Sequence, residues 1–339
     1  MITSKQGQHI EEVVGLQEVD ENVFKSVKLW KLDHGDNVFG GIVIAQATHA
    51  AIKTVQVGLH LHSLHCYFSG FADASVPTGI VYQVEMIRDG NSYATRSVKA
   101  IQNSRCIFSL LCSFHRPEIN QLIFKTKIDL SGVIAPESCQ SLEVSLQNHI
   151  DENRDSLPPK TLNFVELQIK QIKANAFEHR DTSPAPYYSK KHGSSQAYWF
   201  RARGRIQPDP SYHKIILAYA SEYVCFLRSS QYGRALNIQS HSSFGFIDTV
   251  RIGMGLHSPG GPLPRASMLV SLSHSMFFYD HDFDVSEWML YKMEAETAKD
   301  GRGLVVGRIY ARDGRLLAVC AQEGVVRAEG HVKEVGPKL

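Results

Sequence analysis

The sequence predicts an α+β protein made of two similar halves, each an antiparallel sheet wrapped around one long helix. Three observations support this fold class: an internal repeat, one apolar helix at the start of each half, and short strands separated by turn-forming residues. Strings that recur in one order indicate that a structural unit occurs twice in the chain.

The repeat consists of four short strings that recur in the same order, 209 to 211 residues further along the chain. The matched strings are HCYF (65–68) with HSMF (274–277), YQVE (82–85) with YKME (291–294), RDG (88–90) with KDG (299–301), and NSRCIFSLLC (103–112) with DGRLLAVCAQ (313–322). Each match is weak by itself. Together they predict that two halves of one topology superpose at an offset near 210.

Each half opens with an apolar stretch that is predicted to be a helix. These stretches are GGIVIAQATHAAIKTV (40–55) and HKIILAYASEYVCFLRSS (213–230). Between Ile215 and Leu227 the only charged side chain is Glu222. A helix that is apolar all round is buried, and an ionised carboxylate is costly to bury unless it is paired or hydrogen-bonded. Glu222 is therefore a candidate functional residue.

Predicted strands follow each helix, with hairpin-forming residues in the strings DGN, QNSR, KDGRG and RDGR between them. The stretches IFSLLCSF (107–114) and RLLAVCAQEGVVR (315–327) are apolar on both alternating faces, so each face must be covered. One long helix on a curved antiparallel sheet would provide that cover. The two sheets would then join side by side or pack on each other.

The expected organisation is an N-terminal domain at 1–125, a linker at 126–195, a C-terminal domain at 196–330 and a tail at 331–339. The linker is polar and rich in proline, which is typical of loops. Within it, TLNFVELQIKQIKA (161–174) alternates like a strand and is predicted to extend a sheet edge. A second irregular segment, 229–267, separates the helix of Glu222 from the next strand.

The composition of the 339-residue chain is that of a globular protein, with 43% hydrophobic and 21% charged residues. Its 36 Lys and Arg against 34 Asp and Glu favour neither a nucleic-acid nor an anionic-membrane partner. The six cysteines are scattered and form no CxxC pair, which is typical of buried thiols in a reducing compartment. Without a signal-peptide pattern or an apolar run long enough to span a membrane, we expect a soluble intracellular protein.

Several familiar catalytic motifs are absent from the sequence. It contains no GxSxG, HExxH or P-loop, and its loop glycines miss the dinucleotide-binding spacing. HLHSLH (60–65) places His60 and His62 on one strand face, which fits either a metal site or a strand beside a polar cleft. We expect neither a metal nor an organic cofactor.

Two polar residues in apolar strands are candidate partners of Glu222. Ser271 shares a predicted strand face with Ser273, and Gln322 continues an apolar face of its own strand. When buried, a hydroxyl and an amide need hydrogen-bond partners. The three residues could converge on one water, which Glu222 would deprotonate as a general base. The alternatives are a buried polar network that only specifies packing, or a Glu222 that faces solvent at a domain seam.

The chain resembles the acyl-CoA thioesterase II family, whose members have two fused hot-dog domains. The matching stretches are VFGGIVIAQA (38–47), LHSLHCYF (61–68), YQVEMIRDGNSYATRSVKAIQ (82–102), WFRARG (199–204), LAYASE (217–222), VSLSHSMFF (270–278) and DGRLLAVCAQEGVVR (313–327). The resemblance implies a double hot-dog fold and hydrolysis of acyl-CoA, with CoA as part of the substrate. In the family an Asp, a Thr or Ser, and a Gln position the attacking water, which implies this role for Glu222, Ser271 and Gln322.

The sequence departs from the family pattern at its acid and nearby. Glu222 replaces the usual Asp, SHSMFFY (273–279) replaces DHSMWFH, and the segment 229–267 is longer. These departures keep open a rival hypothesis, a non-catalytic acyl-CoA-binding protein on the same scaffold. A hot-dog enoyl-CoA hydratase is a second rival, but its expected Asp and His pair is missing because no His lies beside Glu222.

His65 and the glycine pair at the start of the first helix each allow two interpretations. His65 could line the acyl-CoA site or be a hydrogen-bonded structural residue. Gly40 and Gly41 open the first helix, where backbone N–H groups could hold an oxyanion. Their alternative role is close packing of the helix on its neighbours.

The C-terminal residues Pro337, Lys338 and Leu339 are close to the Ser-Lys-Leu peroxisomal address. Together with the resemblance, they predict that a peroxisomal import receptor binds the chain, with a cytoplasmic location as the alternative. Assembly as a homo-oligomer is compatible with the sequence, which does not define a subunit number.

Overall fold

The computed structural model describes residues 10–29, 37–124, 127–155, 157, 159–182, 195–204, 206–222 and 266–328. Its α-helices are α1 (Ile10–Val13), α2 (Gly40–Lys53), α3 (Leu142–Asn153), α4 (Pro159–Ala174) and α5 (Pro210–Glu222), with a short 3-10 helix at Pro136–Ser138. The segment 229–267 lies almost entirely outside the described residues, and Pro337, Lys338 and Leu339 lie outside them as well.

The strands alternate with the helices in two blocks along the chain. They are β1 (Leu16–Asp20), β2 (Val23–Ser26), β3 (His60–Phe68), β4 (Val81–Asp89), β5 (Tyr93–Gln102), β6 (Arg105–His115), β7 (Phe177–Asp181), β8 (Ser195–Ala202), β9 (Ala266–Phe278), β10 (Met289–Lys299), β11 (Arg302–Ala311) and β12 (Leu316–Ala328). Every ladder between these strands is antiparallel. The α+β class and the antiparallel sheets are therefore confirmed.

The two halves join side by side into one sheet in the part of the chain that the structure describes. The strand order is β1-β2-β4-β5-β6-β3-β9-β12-β11-β10-β8-β7, so β3 and β9 meet at the centre. Outward from this central pair, the strands on the two sides correspond in order: β6, β5, β4, β2 and β1 on one side match β12, β11, β10, β8 and β7 on the other. The predicted common topology of the two halves is confirmed.

The register of the central pair agrees with the predicted offset near 210. His65 lies opposite Ser275, 210 residues later, and the neighbouring pairs run symmetrically away from it. An antiparallel pair has a local twofold axis at such a position, because each strand presents the same pattern to the other. The register shift between Leu61 and Ser63 in β3 also recurs 210 residues later, between Ser271 and Ser273 in β9.

Helices α2 and α5 pack together and share one hydrophobic core with the sheet. Phe39, just before α2, contacts the ring of Tyr219 in α5 edge-on, with 5.1 Å between the ring centroids. A Cβ atom on Gly41 would lie 2.7 Å from the Tyr219 carbonyl oxygen. Glycine at this position therefore permits the close approach of the two helices.

The predicted strand at TLNFVELQIKQIKA was wrong, because this segment belongs to helix α4. Leu162, Val165, Ile169 and Ile172 are spaced three and four residues apart and pack against the main core. This spacing is that of one helical face. The interval 126–195 thus contributes α3, α4 and β7 to the fold, while the domain boundaries themselves stay a prediction.

The described helices are all too short or too polar to cross a membrane. Cys66, Cys112 and Cys320 are buried free thiols, as expected, whereas the Cys106 thiol is exposed. Cys225 lies outside the described residues.

Candidate active site

The carboxylate of Glu222 lies at the C-terminal end of α5, against the first turn of α2. Its residue is 5% exposed, so the expectation of a buried acid holds. A Cβ atom on Gly40 would lie 2.9 Å from Glu222 Oε1 and 3.1 Å from the Phe68 ring. The absence of a side chain at Gly40 therefore leaves the space that the carboxylate occupies, which favours the close-packing role of this glycine.

The structure brings Glu222, Ser271 and Gln322 together. The Ser271 hydroxyl donates a hydrogen bond of 2.6 Å to Glu222 Oε1. The Gln322 side-chain amide donates to Ser271 Oγ at 2.8 Å and to Glu222 Oε1 at 3.5 Å. The three side chains come from α5, β9 and β12, and they form one connected network.

A register shift in β9 separates Ser271 from Ser273. Ser273 pairs with Glu323, the neighbour of the inward-facing Gln322, so Ser273 lies on the opposite face of the sheet. The expectation that the two serines share a face was therefore wrong. A bulge of this kind redirects side chains locally, and here Ser271 is the one that reaches Glu222.

Burial raises the pKa of Glu222 from 4.5 to about 7, because the apolar surroundings disfavour the charged form. Hydrogen bonds from Ser271, from the backbone of Gly41 and from Gln322 act in the opposite direction. Among the described residues, no group hydrogen-bonds the second oxygen, Oε2, although it is buried. This oxygen has free lone pairs that can accept a proton.

His274 and Ser221 also belong to this network, and neither was among the residues predicted from the sequence. His274 Nδ1 lies 3.2 Å from Gln322 Oε1, and its Nε2 lies 3.0 Å from Ser221 Oγ. His274 is fully buried, and burial lowers its pKa to about 4. A histidine within the apolar string SLSHSMFF was a signal, since a buried imidazole needs hydrogen-bond partners.

The other histidines considered from sequence lie away from the triad. His65 Nδ1 is 3.0 Å from Ser275 Oγ at the centre of the sheet, in keeping with the hydrogen-bonded structural role. His60 belongs to a ring cluster with His115 and His281. Nowhere in the described ranges are three His, Cys, Asp or Glu side chains placed to share a metal ion.

Family models match both halves of the chain. The model described as the acyl-CoA thioesterase N-terminal domain matches residues 30–115, and the model of the C-terminal domain matches residues 151–326. The two matches fall on the two blocks of strands that meet at β3 and β9. The second match contains all three residues of the Glu222 network.

Individual relatives agree with these matches. Acyl-coenzyme A thioesterase 8 of Homo sapiens is 32% identical over 325 residues, covering 95% of this chain and 90% of that protein. Peroxisomal acyl-coenzyme A thioester hydrolase 1 of Saccharomyces cerevisiae is 21% identical and covers 85% of each chain. The crystal structure of acyl-CoA thioesterase II TesB2 from Mycobacterium marinum has 26% identity and a TM-score of 0.64, covering 95% of this chain and 99% of that one. From its sequence matches and its double hot-dog fold, this chain belongs to the acyl-CoA thioesterase family of hydrolases.

Proposed function

We propose that this protein hydrolyses acyl-CoA to a free fatty acid and CoA, with Glu222 as the base that activates the attacking water. The single observation that carries the proposal is the contact of a buried carboxylate of pKa about 7 with Ser271 and Gln322. A general base works best when its pKa is close to the working pH. Because Ser271 and Gln322 hold Oε1 of Glu222 in place, the lone pairs of Oε2 point in a fixed direction.

In the proposed mechanism, Glu222 takes one proton from a water molecule as that water attacks the thioester carbonyl carbon. The tetrahedral intermediate then collapses, the carbon–sulfur bond breaks, and the CoA thiolate recovers the proton from Glu222. Ser271 and Gln322 hold Oε1 through hydrogen bonds, so the base keeps one orientation throughout. Each step uses only protein groups, water and substrate, and it therefore requires no metal or organic cofactor.

The decisive test is Glu222→Gln, assayed by thiol release across a panel of acyl-CoA substrates. The amide is nearly isosteric but cannot take the proton of water, so turnover should fall by ~10²–10⁴-fold. The variant should stay folded. The rise of the Glu222 pKa from 4.5 to about 7 means that the ionised carboxylate destabilises the folded protein by about 3 kcal/mol. The glutamine amide carries no charge, so the variant avoids this destabilisation.

Two comparisons sharpen this test. Ser271→Ala and Gln322→Ala should each lower turnover, and adding either to Glu222→Gln should cost less than the sum, since all three act on one water. Glu222→Asp restores the usual family residue and reports whether the longer side chain affects the rate. Wild-type turnover no faster than that of Glu222→Gln would reject the hydrolase and favour the alternative, a non-catalytic acyl-CoA-binding protein.

We also propose that a peroxisomal import receptor binds the C-terminal residues Pro337, Lys338 and Leu339. Their similarity to the Ser-Lys-Leu address and the peroxisomal name of the yeast relative support this location. A tagged chain should accumulate in peroxisomes and lose that location when its last three residues are deleted. A cytosolic signal in both cases would contradict the proposal. Assembly as a homo-oligomer stays a prediction, which the mass of the protein in solution would test.

A further inference from the structure

The imidazole of His274 bridges two parts of the site that are distant in sequence. His274 lies directly opposite Gln322 in the pairing of β9 with β12, so both side chains project from the same face of the sheet. One ring nitrogen reaches the Gln322 carbonyl oxygen and the other reaches the Ser221 hydroxyl, at 3.2 Å and 3.0 Å. Ser221 is the residue immediately before Glu222. The imidazole thus connects the amide of the triad to the helix end that carries its acid.

The chemistry of these contacts defines one protonation pattern. Burial lowers the pKa of His274 to about 4, so the ring is neutral at pH 7 and carries a single N–H. The Gln322 carbonyl oxygen can only accept, which assigns that proton to Nδ1. Nε2 then carries no proton and lies 3.0 Å from the Ser221 hydroxyl, whose proton is also within reach of the Ala218 carbonyl oxygen at 2.9 Å. With its carbonyl held by Nδ1–H, the Gln322 amide must turn its N–H groups towards Ser271 and Glu222.

Ser221 is itself held on its backbone side. The Tyr291 hydroxyl donates to the Ser221 carbonyl oxygen at 3.1 Å. Space for the Tyr291 ring exists because residue 307 is a glycine, where a Cβ atom would lie 2.4 Å from the ring. A flipped Gln322 amide would place its carbonyl oxygen against the Glu222 carboxylate, which is repulsive. The imidazole N–H and the carboxylate therefore favour the same orientation of the amide, and the contact with Ser221 fixes the imidazole relative to the end of α5.

We infer that His274 is a positioning residue for hydrolysis, which sets the direction of the Gln322 amide and through it the orientation of the Glu222 carboxylate. The inference rests on the proposed function, because it presumes that Gln322 and Glu222 act on the attacking water. His274 contacts neither the water nor the acyl group in this mechanism. Its loss therefore reduces the rate of the chemical step and leaves substrate binding little changed.

The test compares His274→Leu with His274→Asn in steady-state assays over a range of pH. Leucine removes the donor to Gln322, and kcat should fall by about 10- to 100-fold with little change in KM, the scale expected for a small misplacement of a catalytic group. Because the Gln322 hydrogen bond lowers the pKa of Glu222, the rising limb of the pH–rate profile should also move to higher pH. Asparagine can place an N–H near the position of Nδ1, so it should recover most of the rate.

Three further measurements make the result decisive. His179→Leu, a buried histidine on edge strand β7, is the matched control for loss of a core imidazole and should keep kcat. Ser221→Ala should lower kcat several-fold while the imidazole is still present. This variant therefore tests the inference even if His274→Leu does not fold. In a Gln322→Ala background, His274→Leu should have almost no further effect on kcat.

The outcomes separate this inference from the proposed function. Wild-type kcat in His274→Leu, or an equal loss in the presence and absence of the Gln322 side chain, would overturn the positioning role while Glu222→Gln and Gln322→Ala remain impaired. If instead Glu222→Gln and Gln322→Ala are fully active, the proposed mechanism fails and the positioning role fails with it. A kcat loss rescued by asparagine, with an upward pH shift, supports the inference.

Discussion

At the scale of single residues, the acidity of Glu222 results from opposing effects. Burial raises its pKa, whereas the hydrogen bonds from Ser271, Gly41 and Gln322 lower it. The balance leaves the pKa at about 7, where the carboxylate is available as a base without being permanently charged in an apolar setting. Hence Ser271 has two effects on Glu222: it orients Oε1, and it lowers the proton affinity of the carboxylate.

The pH dependence of turnover should therefore report Glu222. Its base form exists above its pKa, so kcat/KM should rise with pH through about 7 and level off above it. Ser271→Ala removes the largest of the effects that lower this pKa, and the rising limb should move to higher pH. The measurement is kcat/KM for both proteins between pH 5 and pH 9. An unchanged midpoint in Ser271→Ala would contradict the assignment of this limb to Glu222.

At the scale of secondary-structure elements, the site is formed where the first turn of α2 meets the last turn of α5. The two helices approach closely because residues 40 and 41 are glycines. The N-terminal end of a helix carries a partial positive charge, which favours a nearby carboxylate. Helix α2 thus supports the carboxylate that we propose as the base, which belongs to the other half of the chain.

Gly40→Ala should test this contact. The new methyl group would lie 2.9 Å from Glu222 Oε1, so the carboxylate must move, and kcat should fall by about 10-fold or more. Gly40 is the first residue of α2, so alanine gains less here than the ~1 kcal/mol of an interior position, and the melting temperature should fall as well. Kinetics and thermal unfolding of the variant give both quantities.

The control for this prediction is Gly132→Ala. Within the described part of the chain, a Cβ atom at Gly132 has no neighbour within 4 Å, so this variant should match wild type in rate and in melting temperature. Equal activity of Gly40→Ala and Gly132→Ala would show that the carboxylate tolerates displacement, contrary to the expectation.

At the scale of the whole molecule, the pairing of β3 with β9 relates two similar halves. The network of Glu222, Ser271 and Gln322 nevertheless belongs to the second half. The positions 210 residues before Ser271 and Gln322 are Leu61 and Cys112. Both are buried, and neither supplies the hydroxyl or the amide of the network. The repeated fold therefore has two corresponding places for a site, and the described residues build this triad in the second half.

The seam between the halves also carries a basic cluster that should affect stability in acid. His281 lies beside Lys214, His60 and His115, and its pKa is lowered to about 4 by burial and by these neighbours, while Asp280 acts in the opposite direction. An unfolded histidine binds a proton near pH 6.5, whereas the folded one does so near pH 4. Stability contributed by the neutral ring is therefore lost as the pH falls from about 6.5 towards 4.

We expect His281→Asn to reduce this acid sensitivity. Urea unfolding at pH 7 and at pH 4.5 would give the loss of unfolding free energy between the two conditions for each protein. The loss should be smaller in the variant, because one proton-linked group is removed. Comparing differences rather than absolute stabilities cancels any change in packing. An equal or larger loss in the variant would contradict this account.

Much of the fold and the candidate triad could be predicted from the sequence. The repeat, the two apolar helices and the strand patterns predicted two antiparallel sheets, each covered by one helix, and the family resemblance implied the double hot-dog. Glu222 stood out because a single charged side chain in an otherwise apolar helix is costly to bury unless it is hydrogen-bonded or paired. The resemblance then agreed with Ser271 and Gln322. The strand expected at TLNFVELQIKQIKA failed because a short segment can satisfy alternating and helical spacing together, and only its packing showed which one applies.

By itself, then, the sequence determined the class of fold and the number of halves and predicted the three polar residues, because each depends on residue type and on spacing along the chain. Only the tertiary structure decided that β3 and β9 join the halves, that a bulge turns Ser271 inward and Ser273 outward, and that Gly40 makes room for Glu222. It also decided the role open to His274, whose partners lie 48 and 53 residues away. Such contacts depend on register and helix packing, where a shift of one residue exchanges the faces of a strand.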